Sequence, residues 1–237
     1  MKTHTLSARD KEALDRPIWS SLTSKHRSLA WGEGQARRYP PAIAPFAAVS
    51  EFTPGAVAEL RSLATAGPVA LQSSTVLGPL LGLEVQSRST LRQMILMDGV
   101  PDLPDSTPET LAAGDVPAML ELTALTKPGP FFPQTYQLGR YIGIRYGDRL
   151  VAMAGERLRL DGYTEISAVC VHPDYRGKGY ARILMKSLAK TITGGGEIPM
   201  LHVLDDNRGA IALYERLGFV TRAMFQLTVM HRSEAMD

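Results

Sequence analysis

The chain has 237 residues, 44% of them hydrophobic and 21% charged, with a formal net charge of +2. That composition excludes a disordered chain, and the charge is too small to mark nucleic acid or an anionic membrane as the main partner. The single cysteine, Cys170, has no intramolecular disulfide partner and joins no Cys/His cluster at zinc-ligand spacing, so no metal and a reducing, cytoplasmic setting are expected. Segment 1–16 lacks the apolar centre of a secretory signal, and no apolar run reaches the roughly 20 residues of a bilayer span.

The length suits two modest domains. The first fifty residues scatter Trp19, Trp31, Tyr39 and Phe46 among prolines without a readable period. Thr53 followed by Pro54 starts a helix whose apolar face is Val57, Leu60, Leu63 and Ala64, ended by Gly67. Strands are expected over 68–72 and 91–97. The prolines Pro101, Pro104 and Pro108 then interrupt any regular element, which divides the chain into an N-terminal α/β region (1–100), a linker (101–107) and a C-terminal domain (108–237).

Downstream the spacing predicts a helix over 115–125, then a loop at 126–134 rich in proline and glycine and suited to lining a substrate mouth. Strands over 141–145, 150–160 and 164–171 follow, joined by turns at Gly147-Asp148 and Asp161-Gly162. A helix over 179–192 carries Ala181, Leu184, Leu188 and Ile192 on one face and Arg182, Lys186 and Lys190 on the other. Gly194–Gly196 connects it to a strand over 198–204. A helix over 207–217 stopped by Gly218 and a final strand region over 219–231 complete the order β-β-β-α-β-α-β.

Chemistry concentrates in the run His172, Pro173, Asp174, Tyr175, Arg176, Gly177, Lys178, Gly179, Tyr180, Ala181, between a strand end and a helix start. Free backbone N–H groups, the positive helix end, two glycines and two cations make a site for phosphate. A P-loop is excluded because Gly179, rather than Ser or Thr, follows Lys178. The dinucleotide fingerprint is disfavoured because Arg182 stands where its third glycine belongs. Arg176, Gly179 and Ala181 match a third pattern: Arg or Gln, two residues, Gly, one residue, Gly or Ala. That is the pyrophosphate loop of the GNAT superfamily of N-acetyltransferases. The stretch Val169–Pro173 and the residues Asn207, Ala210, Leu213, Tyr214, Leu217, Gly218 and Phe219 also resemble that family, over residues 108 to the end.

The resemblance implies an α/β fold with a mixed, mostly antiparallel sheet flanked by helices, two central strands splaying to admit acetyl-CoA. The N-terminal region is then a degenerate acetyltransferase-like half, a substrate-shaping cap or a dimer surface. The implied reaction is acetyl transfer from acetyl-CoA to a primary amine of a small molecule, amino acid or protein, by direct attack in a ternary complex. Implied cofactor contacts are Val169, Cys170 and Val171 through the backbone, one amide there serving the oxyanion, with Arg176, Gly177, Lys178, Gly179, Tyr180 and Ala181 at the pyrophosphate and Asn207 at the pantetheine. Tyr214 matches the acid that protonates the leaving thiolate. Glu165 is the candidate base, weighed evenly against an ordinary strand-end carboxylate. Cys170 reads as a core residue rather than a nucleophile, and neither His172 nor His202 has a second ligand at metal spacing. A longer acyl donor, as in glycine acyltransferases, and a non-catalytic acyl-CoA-binding regulatory module are the alternatives.

Overall fold

The computed structural model describes residues 6–97 and 108–233; the expected linker at 101–107 lies outside the described residues. Two helices occupy the start that the sequence leaves unread. In α1 (Ala8–Asp15) the Ser7 hydroxyl accepts from the Asp10 amide while the Asp10 carboxylate accepts from the Ser7 amide, a reciprocal cap. Only Leu14 of α1 is buried, so the helix carries no apolar stripe. Helix α2 (Pro17–Thr23) begins on proline, whose missing N–H costs a first turn nothing.

Strands β1 (Ala36–Arg38) and β2 (Ala47–Val49) form a small antiparallel pair. Helix α3 (Pro54–Leu63) follows, capped by the Thr53 hydroxyl as the Thr-Pro signal predicts. The buried Arg38 guanidinium donates to the carbonyls of Leu63, Gly67 and Pro68, tying β1 to the far end of α3.

The remaining strands build one eight-stranded sheet. They are β3 (Val69–Ser73), β4 (Leu83–Leu96), β5 (Glu109–Leu111), β6 (Tyr141–Tyr146), β7 (Arg149–Leu160), β8 (Tyr163–Val171), β9 (Ile198–Leu204) and β10 (Phe219–Arg232). Their order is β3-β10-β4-β9-β8-β7-β6-β5, and only β8 and β9 run parallel. Strand β4, longer than the expected 91–97, inserts between β9 and β10, so strands from both sides of residues 101–107 share one sheet.

Helices cover both faces. On one, α5 (Tyr180–Gly194) and α6 (Arg208–Arg216) pack Leu184, Leu188, Ile192, Ile211 and Tyr214 against Ala152, Ile166, Leu201 and Val203. On the other, α4 (Val116–Thr126) packs Met119 and Leu122 against Met153 and Cys170, while α1 and α2 set Leu14, Ile18 and Leu22 against Leu158, Tyr163 and Met200. Successive strand residues therefore serve opposite cores, as the two-residue period requires. Among the described residues, no helix is long and apolar enough to cross a membrane.

A buried polar knot fastens α2 to the sheet. The Ser21 hydroxyl lies 2.8 Å from the Tyr39 hydroxyl and 3.2 Å from His26 Nδ1, and Tyr39 lies 2.9 Å from that nitrogen. Burial first, then the charge of Arg159, lowers the His26 pKa from 6.5 to about 4. The folded state thus resists a proton that the unfolded chain accepts. The stability this confers is present above pH 6.5 and is lost as pH falls towards 4, by roughly 3 kcal/mol. Denaturant titrations from pH 7.5 to 4 should show that slope, and His26→Asn should flatten it; an equal slope in the variant would remove His26 as its source.

Candidate active site

The β8–β9 ladder pairs Tyr163 with Ile198, Thr164 with Pro199 and Glu165 with Met200, and stops there. Beyond it both strands continue, β8 still bonded to β7 and β9 to β4, so the sheet opens along a seam. Two bulges shape the opening. Ala168 and Val169 of β8 oppose the single Ala154 of β7, and Arg157 and Leu158 of β7 oppose the single Glu165 of β8, so the register slips and recovers. At the first bulge Ala168 has φ +53°, a left-handed conformation uncommon for alanine.

A cavity of about 290 Å³ fills the seam. Ser167, Ala168 and Val169 form one wall, His202 and Val203 another, and Asn207, Ala210 and Tyr214 of α6 a third. Lys127 to Pro130 contribute from the loop expected to line a substrate mouth, and Ile18, Phe46 and Gln72 come from the N-terminal region.

At the far end of β8, residues 172–179 turn into α5. Gly177 and Gly179 both have φ +79°, which explains the glycines, and a Cβ on either would meet no atom within 4 Å. The first intrahelical bond of α5 runs from the Ile183 amide to the Gly179 carbonyl, so the amides of Tyr180, Ala181 and Arg182 have no helical acceptor. Arg176 folds back with Nε 3.4 Å from the Val171 carbonyl, and Lys178 lies 4.8 Å from the centre of the Tyr175 ring. Open space, unbonded amides and two cations fit a diphosphate.

Tyr214 is buried beside Phe219, and burial pushes its hydroxyl up to about 12 while Arg157 draws it down. It holds its proton at neutral pH. The Asn207 carboxamide accepts from the Ala210 amide at 3.2 Å, capping α6 while lining the cavity. Cys170 packs among Met119, Leu122 and Met153, away from α5, and burial raises its thiol to about 11. Val171 ends β8 at the loop.

Glu165 is fully buried. Arg157 grips it with Nε 2.9 Å from Oε2 and Nη2 2.6 Å from Oε1, and His202 Nδ1 lies 2.7 Å from Oε1. Burial alone would raise the carboxyl pKa, but Arg157 and then His202 overcome it and hold the group well below the usual carboxylate range. Such a carboxylate is a poor proton acceptor. In sequence His202 is only a histidine of a buried strand with no second ligand at metal spacing, and its partner across the seam becomes visible only through the β8–β9 register. No cluster of three or more metal-ligating side chains occurs among the described residues.

Known proteins resemble this chain in sequence and in fold. The family model described as FR47-like protein matches residues 141–227. The [ribosomal protein bS18]-alanine N-acetyltransferase of Salmonella typhimurium is 31% identical over 120 residues, which is 48% of this chain and 80% of that one. The N-alpha-acetyltransferase RimI of Mycobacterium tuberculosis is 39% identical over 82 residues, 33% of this chain and 51% of that protein. A crystal structure of a GNAT-family acetyltransferase from Novosphingobium aromaticivorans superposes with a TM-score of 0.86 at 38% identity, covering 93% of this chain and 98% of that one. The chain belongs to the GNAT family of acetyltransferases, and it is an acyltransferase.

The bulge provides a test of the seam. A β-branched residue tolerates a positive φ worse than alanine does, so Ala168→Val should cost about 1–3 kcal/mol of stability, read by denaturant unfolding. An unchanged midpoint would show that the bulge is not held in this conformation.

Proposed function

We propose that the chain transfers an acetyl group from acetyl-CoA to a primary amine by direct attack in a ternary complex. The observation that carries this reading is that β8 joins two features: the parted seam, with its cavity and a protonated tyrosine on the wall, and, at the strand's end, a helix start whose free amides suit an anion. Arg176, Lys178 and the amides of Gly177 to Ala181 would hold the pyrophosphate. The backbone of Val169 to Val171 and the Asn207 carboxamide would align the pantetheine arm and thioester, an amide of that strand stabilising the oxyanion. Tyr214 would give its proton to the departing thiolate.

The two faces of the seam divide the work. Tyr214 and α5 belong to one face, whereas Glu165 and His202 lie towards the face covered by α1 and α2. The amine therefore comes from the N-terminal side, where α1 and α2 act as the substrate-shaping cap over the sheet. The S. typhimurium relative's name specifies an alanine amino group on a protein, so peptide amino termini are the acceptors to try first. A cytoplasmic setting suits acetyl-CoA chemistry and the reduced Cys170.

Thermal melting with acetyl-CoA, CoA, NAD and ATP in parallel tests the donor. A ligand at about 100 times its Kd adds about 2.7 kcal/mol, so the two CoA compounds should raise Tm and the others should not. A rise with NAD or ATP alone would end the reading. Arg176→Ala should weaken CoA binding by roughly 10- to 100-fold, the usual worth of charge-assisted hydrogen bonds. Tyr214→Phe should lower kcat by about 10-fold or more with acetyl-CoA affinity retained; undiminished turnover would assign the acid elsewhere.

A further inference from the structure

His202 stands at the junction of a polar network that crosses six strands. Its Nδ1 meets Glu165 of β8, which Arg157 of β7 clamps from the other side. Its Nε2 lies 2.9 Å from Gln72 Nε2 of β3 and 3.1 Å from Gln93 Nε2 of β4. The orientation of Gln93 is set by its other partners: Oε1 accepts from Arg222 at 2.9 Å, and Nε2 donates to the Leu14 carbonyl at 2.9 Å. The nitrogen facing His202 is thus a donor, so His202 Nε2 is an acceptor. Since Glu165 is an anion, Nδ1 carries the hydrogen. The network selects one neutral tautomer, with its lone pair on Nε2.

Gln72 differs from Gln93. It lines both the seam cavity and a neighbouring groove of about 430 Å³ bounded by Asp15, Trp19, Glu51 and Ser73, so it stands between them. An amine arriving through that groove meets Gln72 before His202.

We propose that His202 is the proton acceptor for the incoming amine, that Glu165 and Arg157 are positioning residues acting through it, and that the amine displaces the Gln72 amide. This rests on the acetyl-transfer reading above. The ammonium gives one proton to Nε2, and the Nδ1–H···Glu165 bond strengthens as the imidazolium forms. The freed lone pair attacks the thioester carbonyl and the C–S bond breaks, with Tyr214 protonating sulfur. The new amide nitrogen sheds its surplus proton to restore Tyr214, and His202 releases its own to solvent, so one proton leaves per turnover. The charged groups around the imidazole are Glu165, Arg157 and, behind Gln93, Arg222; Tyr39 lies within the field of the first two, and the Phe225 ring packs edge-on at 6.0 Å. The low dielectric around this pair magnifies the effect of the carboxylate on a proton at Nε2.

The test has two arms. In the unaltered protein labelled with ¹⁵N-histidine and saturated with CoA, His202 should show a protonated Nδ1 and a bare Nε2 at pH 7, and alaninamide should move the Nε2 resonance. A protonated Nε2, or one that alaninamide leaves in place, would overturn the proposal whether or not turnover is found. In the second arm, His202→Gln should lower kcat/KM for an alkylamine by about 100-fold or more at pH 7. The deficit should shrink as pH rises towards the pKa of the amine, and it should vanish for a weakly basic arylamine that arrives already deprotonated. Equal losses for both amines, at an unchanged Tm and CoA affinity, would reduce His202 to a structural role. If CoA fails to bind at all, the acetyl-transfer reading falls, while the tautomer and its response to alaninamide, recorded then on the ligand-free protein, still answer for His202.

Discussion

The end of hydrogen bonding between β8 and β9 after Glu165 and Met200 is the constraint on which the rest of the molecule depends. Parallel neighbours normally continue until one strand ends, because unpaired backbone groups inside a protein are costly. Here both strands run on while parted, and each is kept extended by its outer neighbour, β7 or β4. The paired bulges let β8 change direction and then restore the register, so the strain is local and the flanking cores stay in phase. Ligand space arises in the middle of a sheet, where side chains from either face can reach it.

The same place collects buried charge. An isolated Glu165 would be strongly disfavoured with no solvent at hand, and Arg157 compensates only because the bond is bidentate and His202 takes up an oxygen. A well-packed apolar substitute for such a cluster is often no less stable. Its presence beside a cavity therefore argues for chemistry rather than for holding the fold together. By contrast, Arg38 meets only carbonyls and fastens two elements.

Sequence made the C-terminal half readable because its elements obey simple periods. Helix α5 has a clean apolar stripe and α6 ends on a glycine with φ +90°, and the phosphate loop is a contiguous motif. The N-terminal half resisted for physical reasons. Helix α1 buries a single residue, and the first half of β4 is mostly exposed, so its side chains show no alternation. The bulge at Ala168 left no mark, since alanine does not advertise a left-handed backbone. Glu165 was found as a carboxylate at the central strand, but its meaning depends on Arg157 eight residues earlier and His202 thirty-seven later. Only pairing across strands brings the three together.

Strand β4 separates β9 from β10, although a helix and two short turns are all that divide those two in the chain. The closing contacts of the sheet thus join residues 83–96 to residues beyond 198, a long sequence separation that slows folding through loop-closure entropy. Until β4 is seated, β9 and β10 each expose an unpaired edge able to capture another chain. During synthesis β4 emerges well before the strands that flank it. It must wait as an unsatisfied strand until β9 and β10 have left the ribosome, so chaperone dependence is built into the topology.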